Sequence, residues 1–163
     1  MGSELLEPLA NWLKSTALSS FVTNSDWAWY TFETLHFIGL ALLIGAVGIL
    51  DLRMLGVAKN LPVGPLHRLI PWGILGFALC VVSGVMFVTG EPSLFLTRDI
   101  FQLKMLFILL AGINVLVFYF FMFHEVEALG PGDDAPISAK AIAAISLFLW
   151  FGVIYWGRLM GVA

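Results

Sequence analysis

The chain has 163 residues, of which 60% are hydrophobic and only 12% charged, and its mean hydropathy is +0.97. Soluble domains carry roughly 25% charged residues, so this composition excludes an ordinary water-soluble fold and describes one integral membrane domain over residues 1–163. The net charge of -3 has scattered carriers and forms no nucleic-acid surface, and the single cysteine, Cys80, allows neither a disulfide framework nor a CxxC or CxxCH motif.

Residues 4–22 place Leu6, Leu9, Trp12, Leu13 and Leu18 at three- and four-residue spacings, with Glu7, Asn11 and Lys14 elsewhere on the helical wheel. The pattern predicts an amphipathic helix lying at the membrane interface, too short and too polar to span. It lacks the basic start and apolar core of a secretory leader, so no cleaved leader is expected. Thr23, Asn24, Ser25 and Asp26 then supply capping residues for a turn.

A first span is predicted over about 27–52, where Glu33 and His36 lie one turn apart and an uncharged run from Phe37 to Leu50 is closed by Asp51 and Arg53. At about 1.5 Å per residue the stretch is long enough for a hydrocarbon core roughly 30 Å thick. A second span covers about 67–90, with Pro71 early and Gly76, Cys80 and Ser83 or Gly84 at the small-xxx-small spacing that lets helix backbones approach. The third, about 99–123, carries Lys104, Ala111 and Asn114 on one face. An acidic Gly-Pro-Gly loop, expected to be solvent-exposed and mobile, leads to the fourth span at about 139–160. Short connections make the spans alternate in direction, so the expected fold is an all-α antiparallel four-transmembrane-helix bundle preceded by the interfacial helix.

The side of the membrane where the first span begins is side A. Side B holds Arg53, Lys59, Arg68 and Lys140 against Lys14, Arg98 and Arg158 on side A. The excess of basic residues puts side B in the cytoplasm and the N-terminus in the periplasm.

Chemistry is expected where ionisable groups enter the spans. Counted from side A, Glu33 and Lys104 both lie roughly 8 to 9 Å deep at about 1.5 Å per residue. That level predicts a Glu33–Lys104 ion pair within a polar pocket completed by Asn114 and Arg158. His36 lies deeper, level with Met105, Cys80 and Trp150. Since histidine and methionine can both ligate haem iron, His36 with Met105 is the expected site for haem b and His36 the candidate metal ligand. His67 and His124, at the side B edge, form a second and weaker metal candidate.

Three functions fit these residues. One is a haem-binding redox protein passing electrons to or from a quinone or similar carrier. Another is a binding or transport module for a small solute, coupled to protons through His36; a transport path would need a homo-oligomer. The third is a structural subunit whose small-residue stripes, Ala41 with Gly45 and Gly76 with Cys80 and Gly84, pack within the bundle or on partner helices. With no Gly-x-Ser-x-Gly, HExxH or Walker motif, hydrolysis has no support.

The stretches ETLHFIG and DLRMLG (within Glu33–Gly56), LHRLIPW (Leu66–Trp72), LKMLFILLAGIN (Leu103–Asn114) and GRLMG (Gly157–Gly161) resemble a bacterial family of small four-helix membrane proteins that carries a domain-of-unknown-function label. The resemblance implies a bacterial inner-membrane setting and recurrent polar positions at Glu33, His36, Asp51, Arg53, Lys104, Asn114 and Arg158. It also implies a histidine shortly after the asparagine of the third helix, where this chain has Tyr119 and only later His124.

Overall fold

A computed structural model describes the backbone of residues 2–160 and the side chains of residues 6–160; Gly161, the last residue of the GRLMG stretch, lies outside them. The N-terminal segment forms two helices, α1 (Gly2–Lys14) and α2 (Ala17–Asn24), where one continuous helix over 4–22 is expected. The break follows from local chemistry. Thr16 leaves the helical conformation and its hydroxyl accepts a hydrogen bond from the Ser19 N–H at 3.2 Å, starting a new helix.

Four long apolar helices follow: α3 (Ala28–Leu55), α4 (Val63–Gly90), α6 (Asp99–Val126) and α7 (Ile137–Leu159), with the short α5 (Pro92–Leu96) between α4 and α6. The helix α3 ends at Gly56, which adopts φ 89°, a left-handed conformation that glycine reaches without steric cost, while its N–H bonds back to the Arg53 carbonyl. The first turns of α4 accommodate Pro65 and Pro71 around a 3-10 turn at His67–Leu69. Near its end α6 widens into a π-helical segment, Phe118–Met122, where the Phe123 N–H reaches the Phe118 carbonyl.

The helices pack in opposite chain directions. Along α3 and α4, Trp29 lies against Gly90, His36 against Ser83, Gly39 against Gly76 and Cys80, and Ala46 against Gly73. On α6 and α7, Lys104 meets Gly157, Phe107 meets Gly152 and Asn114 meets Ile142. The two hairpins join through α3 and α7. In contrast, α4 and α6 pack on their hairpin partners and barely touch each other, so the bundle has one open side. Large apolar side chains such as Phe37, Phe120, Phe121 and Phe148 are exposed, as lipid contact requires, and the buried positions are mostly small or medium-sized. At side A, Trp12, Trp27, Tyr30 and Tyr155 are also exposed, the distribution of an interfacial aromatic belt.

The side B loops are tied down rather than free. The Arg53 side chain is fully buried and its guanidinium donates to the carbonyls of Leu61, Gly130 and Asp133, the last two at 2.9 and 3.2 Å. Gly132 donates to the Lys59 carbonyl and Val63 to that of Leu129. Asp134 bridges Lys59 at 3.0 Å and Lys140 at 2.8 Å, and these lysines hold its carboxyl down at about 2, the Lys140 bond contributing most.

Candidate functional site

The open side leads into a cavity of about 300 Å³, at the lower end of ligand-pocket volumes. It forms because the facing positions are small: Ala46 on α3, Gly73 on α4, Gly112 on α6, and Ala143 and Ser146 on α7 all lie on its wall. Aromatic rings close the remainder, with Phe77 from α4, Phe118 and Tyr119 from the π segment of α6, and Trp150 from α7. A π turn advances the chain by an extra residue and re-aims the side chains that follow, and such turns recur at functional sites.

Against this apolar wall stand a few polar groups. Asp51 is buried on the wall, which Ser146 also lines, and its Oδ2 has no hydrogen-bond partner. The indole N–H of Trp150 is likewise buried without a partner. Buried polar atoms are nearly always hydrogen-bonded, so two such atoms on residues of one cavity wall stand out. The Asn114 amide donates to the Ile142 carbonyl at 3.1 Å, and its Oδ1 accepts nothing from the described residues.

The residues predicted to share one polar pocket are distributed differently. Asn114 belongs to this cavity. Lys104 lies farther toward side A beside Gly157, where an added methyl carbon would stand 3.3 Å from its Nζ. Glu33 and Arg158 are exposed, and the ion pairs among the described residues are those of Asp134 alone, so Glu33 and Lys104 form no ion pair. Depth along a helix does not specify azimuth, and Glu33 turns outward.

His36 lies between α3 and α4. Its Nδ1 is 2.8 Å from Ser83 Oγ, whose own hydroxyl proton goes to the Leu79 carbonyl at 2.6 Å. Ser83 must then accept, which puts a proton on His36 Nδ1, so that in the neutral ring Nε2 is the nitrogen that keeps its lone pair. Met105 is exposed on the outside of α6. At side B the His67 ring packs edge-on to Phe123 with centroids 4.5 Å apart, and His124 is exposed. Among the described residues no group of three or more His, Cys, Asp or Glu side chains is arranged to hold a metal ion.

The expectations drawn from the sequence did not place Asp51, Ser146, Tyr119 and Trp150 in one site. The available signal was Asp51 itself, a carboxylate closing an uncharged run of helix.

Four apolar helices that turn their large side chains outward and enclose a laterally open, sparsely polar cavity define a multi-pass α-helical membrane protein. The chain belongs to a family of unknown function, DUF6644, whose profile it matches over residues 10–163. No curated protein and no solved structure matches it.

Proposed function

We propose that the protein binds a small lipophilic molecule that enters its cavity sideways from the bilayer, between α4 and α6. The observation that carries this reading is the cavity itself, apolar and open on the one side where consecutive spans do not pack, yet with the polar residue Asp51 on its wall. An occupant with an apolar body and a hydrogen-bond donor would satisfy both features. Polar groups inside a membrane are costly to maintain and mark binding or transfer sites by default. In this reading the protein lies in the bacterial inner membrane with Lys59, Arg68 and Lys140 on the cytoplasmic face.

Reconstitution into lipid nanodiscs with an environment-sensitive lipophilic fluorophore tests the proposal. Binding should be saturable and should be lost in Gly112→Phe, which fills the cavity from its α6 wall. Equal signal from wild type and variant would refute it.

A second reading, haem b ligated by His36, draws on the Ser83 hydrogen bond, which orients the imidazole and leaves Nε2 free as a ligand. An absorption spectrum of protein expressed with haem supplied, recorded oxidised and reduced, decides it. A Soret band that shifts on reduction and vanishes in His36→Ala supports haem. A spectrum with tryptophan absorption alone, from folded protein, removes it.

A further inference from the structure

We infer that the ammonium of Lys104, toward the side A end of the bundle, is a binding site for a singly charged oxyanion, carried either by the head group of an anionic lipid or by a dissolved carboxylate. Lys104 is not on the cavity wall, and the inference does not depend on what the cavity holds. Lys104 follows Asp99 by five residues and faces inward. Phe107, Ile108 and Ala111, three, four and seven residues further along α6, share its face and pack on the core with Leu43 and Trp150, whereas Met105 and Leu106 are exposed on the outside. Its Cδ, Cε and Nζ lie over Gly157 of α7, all within 3.9 Å of where a β-carbon would stand. Its charge also acts on His36 of α3 and Cys80 of α4. A lysine near the end of a span ordinarily runs along the lipid face to water. This one is turned in among three other helices.

No carboxylate answers it there. Lys104 has neither an ion pair nor a hydrogen bond among the described residues, and Glu33 is exposed. His36 gives its Nδ1 proton to Ser83, and the Cys80 thiol points to the His36 carbonyl at 3.6 Å, so neither brings a negative charge. The ammonium is nevertheless reachable. Among the described residues, the side-chain atoms that are both sealed and unpartnered belong to Asp51, His67 and Trp150, so the unpartnered Nζ of Lys104 is not sealed. Charges inside a span pair with one another or border a path or binding site. A cation that faces inward, stays accessible and has no protein counter-charge is a place for an anion from outside the chain. A lysine acts as one point charge rather than a fork, and the backbone N–H groups of the continuous helices around it are already used. The site therefore balances a single negative charge, and a divalent group would leave charge uncompensated.

The test is reductive methylation of lysine amines with formaldehyde and cyanoborohydride, read by peptide mass spectrometry on the full-length protein in nanodiscs. Phosphatidylcholine alone gives the reference rate. One arm adds phosphatidylglycerol to the bilayer; the other adds sodium butyrate to the buffer, at an ionic strength held constant with sodium chloride. At about ten times the half-saturating concentration, a bound anion should slow labelling of Lys104 about tenfold relative to Lys14, which is exposed on α1. Slowing by phosphatidylglycerol alone identifies a lipid head group, and slowing by butyrate identifies a carboxylate entering from water. The same anion should raise the thermal unfolding midpoint of the parent but not that of Lys104→Met, which keeps an unbranched side chain and removes the charge. An unchanged ratio of Lys104 to Lys14 labelling in both arms overturns the inference, as does an equal rise in midpoint for Lys104→Met. A Lys104 that does not react even in phosphatidylcholine alone is sealed, which overturns it as well.

Discussion

Gly39 and Gly76 bring the backbones of α3 and α4 into direct contact: a methyl carbon on Gly76 would stand 2.6 Å from the Gly39 carbonyl oxygen and from the Leu43 nitrogen. Nothing flexible lies there to yield, so the helices themselves would have to part. Gly76→Ala is expected to destabilise the α3–α4 hairpin by about 1–3 kcal/mol, the cost of overpacking. At Gly84, eight residues along the same helix, an added carbon meets nothing within 4 Å. Gly84→Ala should leave stability unchanged or slightly raised. Unfolding of both variants in an SDS titration checks the contrast, and equal midpoints would deny the close packing.

That pair also marks how far the sequence could be read. The four spans were legible because hydropathy and helix length alone determine them. The small-residue stripe of α4 was legible at Gly76 and Cys80, which face α3, but Gly84 does not share their close packing. Ala41 and Gly45 on α3 turn outward. Pairings between spans were not legible. Equal depth suggested that Glu33 meets Lys104, but which way each residue faces depends on how all four helices are rotated, and a uniformly apolar span carries little periodicity to fix that rotation. For the same reason Asp51 and Arg53 read as one polar helix end. Two residues apart, they face different surroundings, Asp51 the cavity and Arg53 the side B loops. The π segment that places Phe118 and Tyr119 on the wall arises from packing, and no residue signature announces it.

Arg53 joins two loops through one planar group. Its guanidinium serves carbonyls on both the α3–α4 and the α6–α7 connections, and its burial means that removal leaves those carbonyls competing for water they cannot all reach. Arg53→Ala should cost about 2–4 kcal/mol. Arg53→Lys should recover only part of this, because an ammonium lacks the fork of donors. A protease specific for glutamate, acting at Glu125 and Glu127, should cut the alanine variant much faster than the parent. Equal cleavage rates would show that the loop is held by other means.

The Asp134 bridge gives the same loop an acid limit. Hydrogen bonds from Lys140 and then Lys59 lower its carboxyl from 3.8 to about 2. A depressed carboxyl contributes its support above the ordinary value and loses it as pH falls through the folded value. The link should therefore be complete at neutral pH and disappear between about pH 4 and pH 2. A carbon NMR titration of the Asp134 carboxyl should show its midpoint near 2, shifted upward in Lys140→Met. A midpoint at the ordinary 3.8 in the parent would mean that the bridge does not form in solution.

Gly112 separates stability from binding. It lines the cavity from α6, and a carbon added to it meets nothing within 4 Å. Gly112→Ala removes a helix-weakening glycine without a clash and should raise stability by up to about 1 kcal/mol. Gly112→Phe has room to enter the cavity, so it should remain folded while excluding an occupant. If the cavity exists to bind, these substitutions improve or preserve the fold and progressively abolish binding, the trade expected where an empty volume is kept for function. Thermal unfolding and fluorophore binding measured on the same nanodisc samples provide the check. A phenylalanine variant that unfolds early would mean the space is already filled by protein, and one that is stable and still binds would locate the ligand elsewhere.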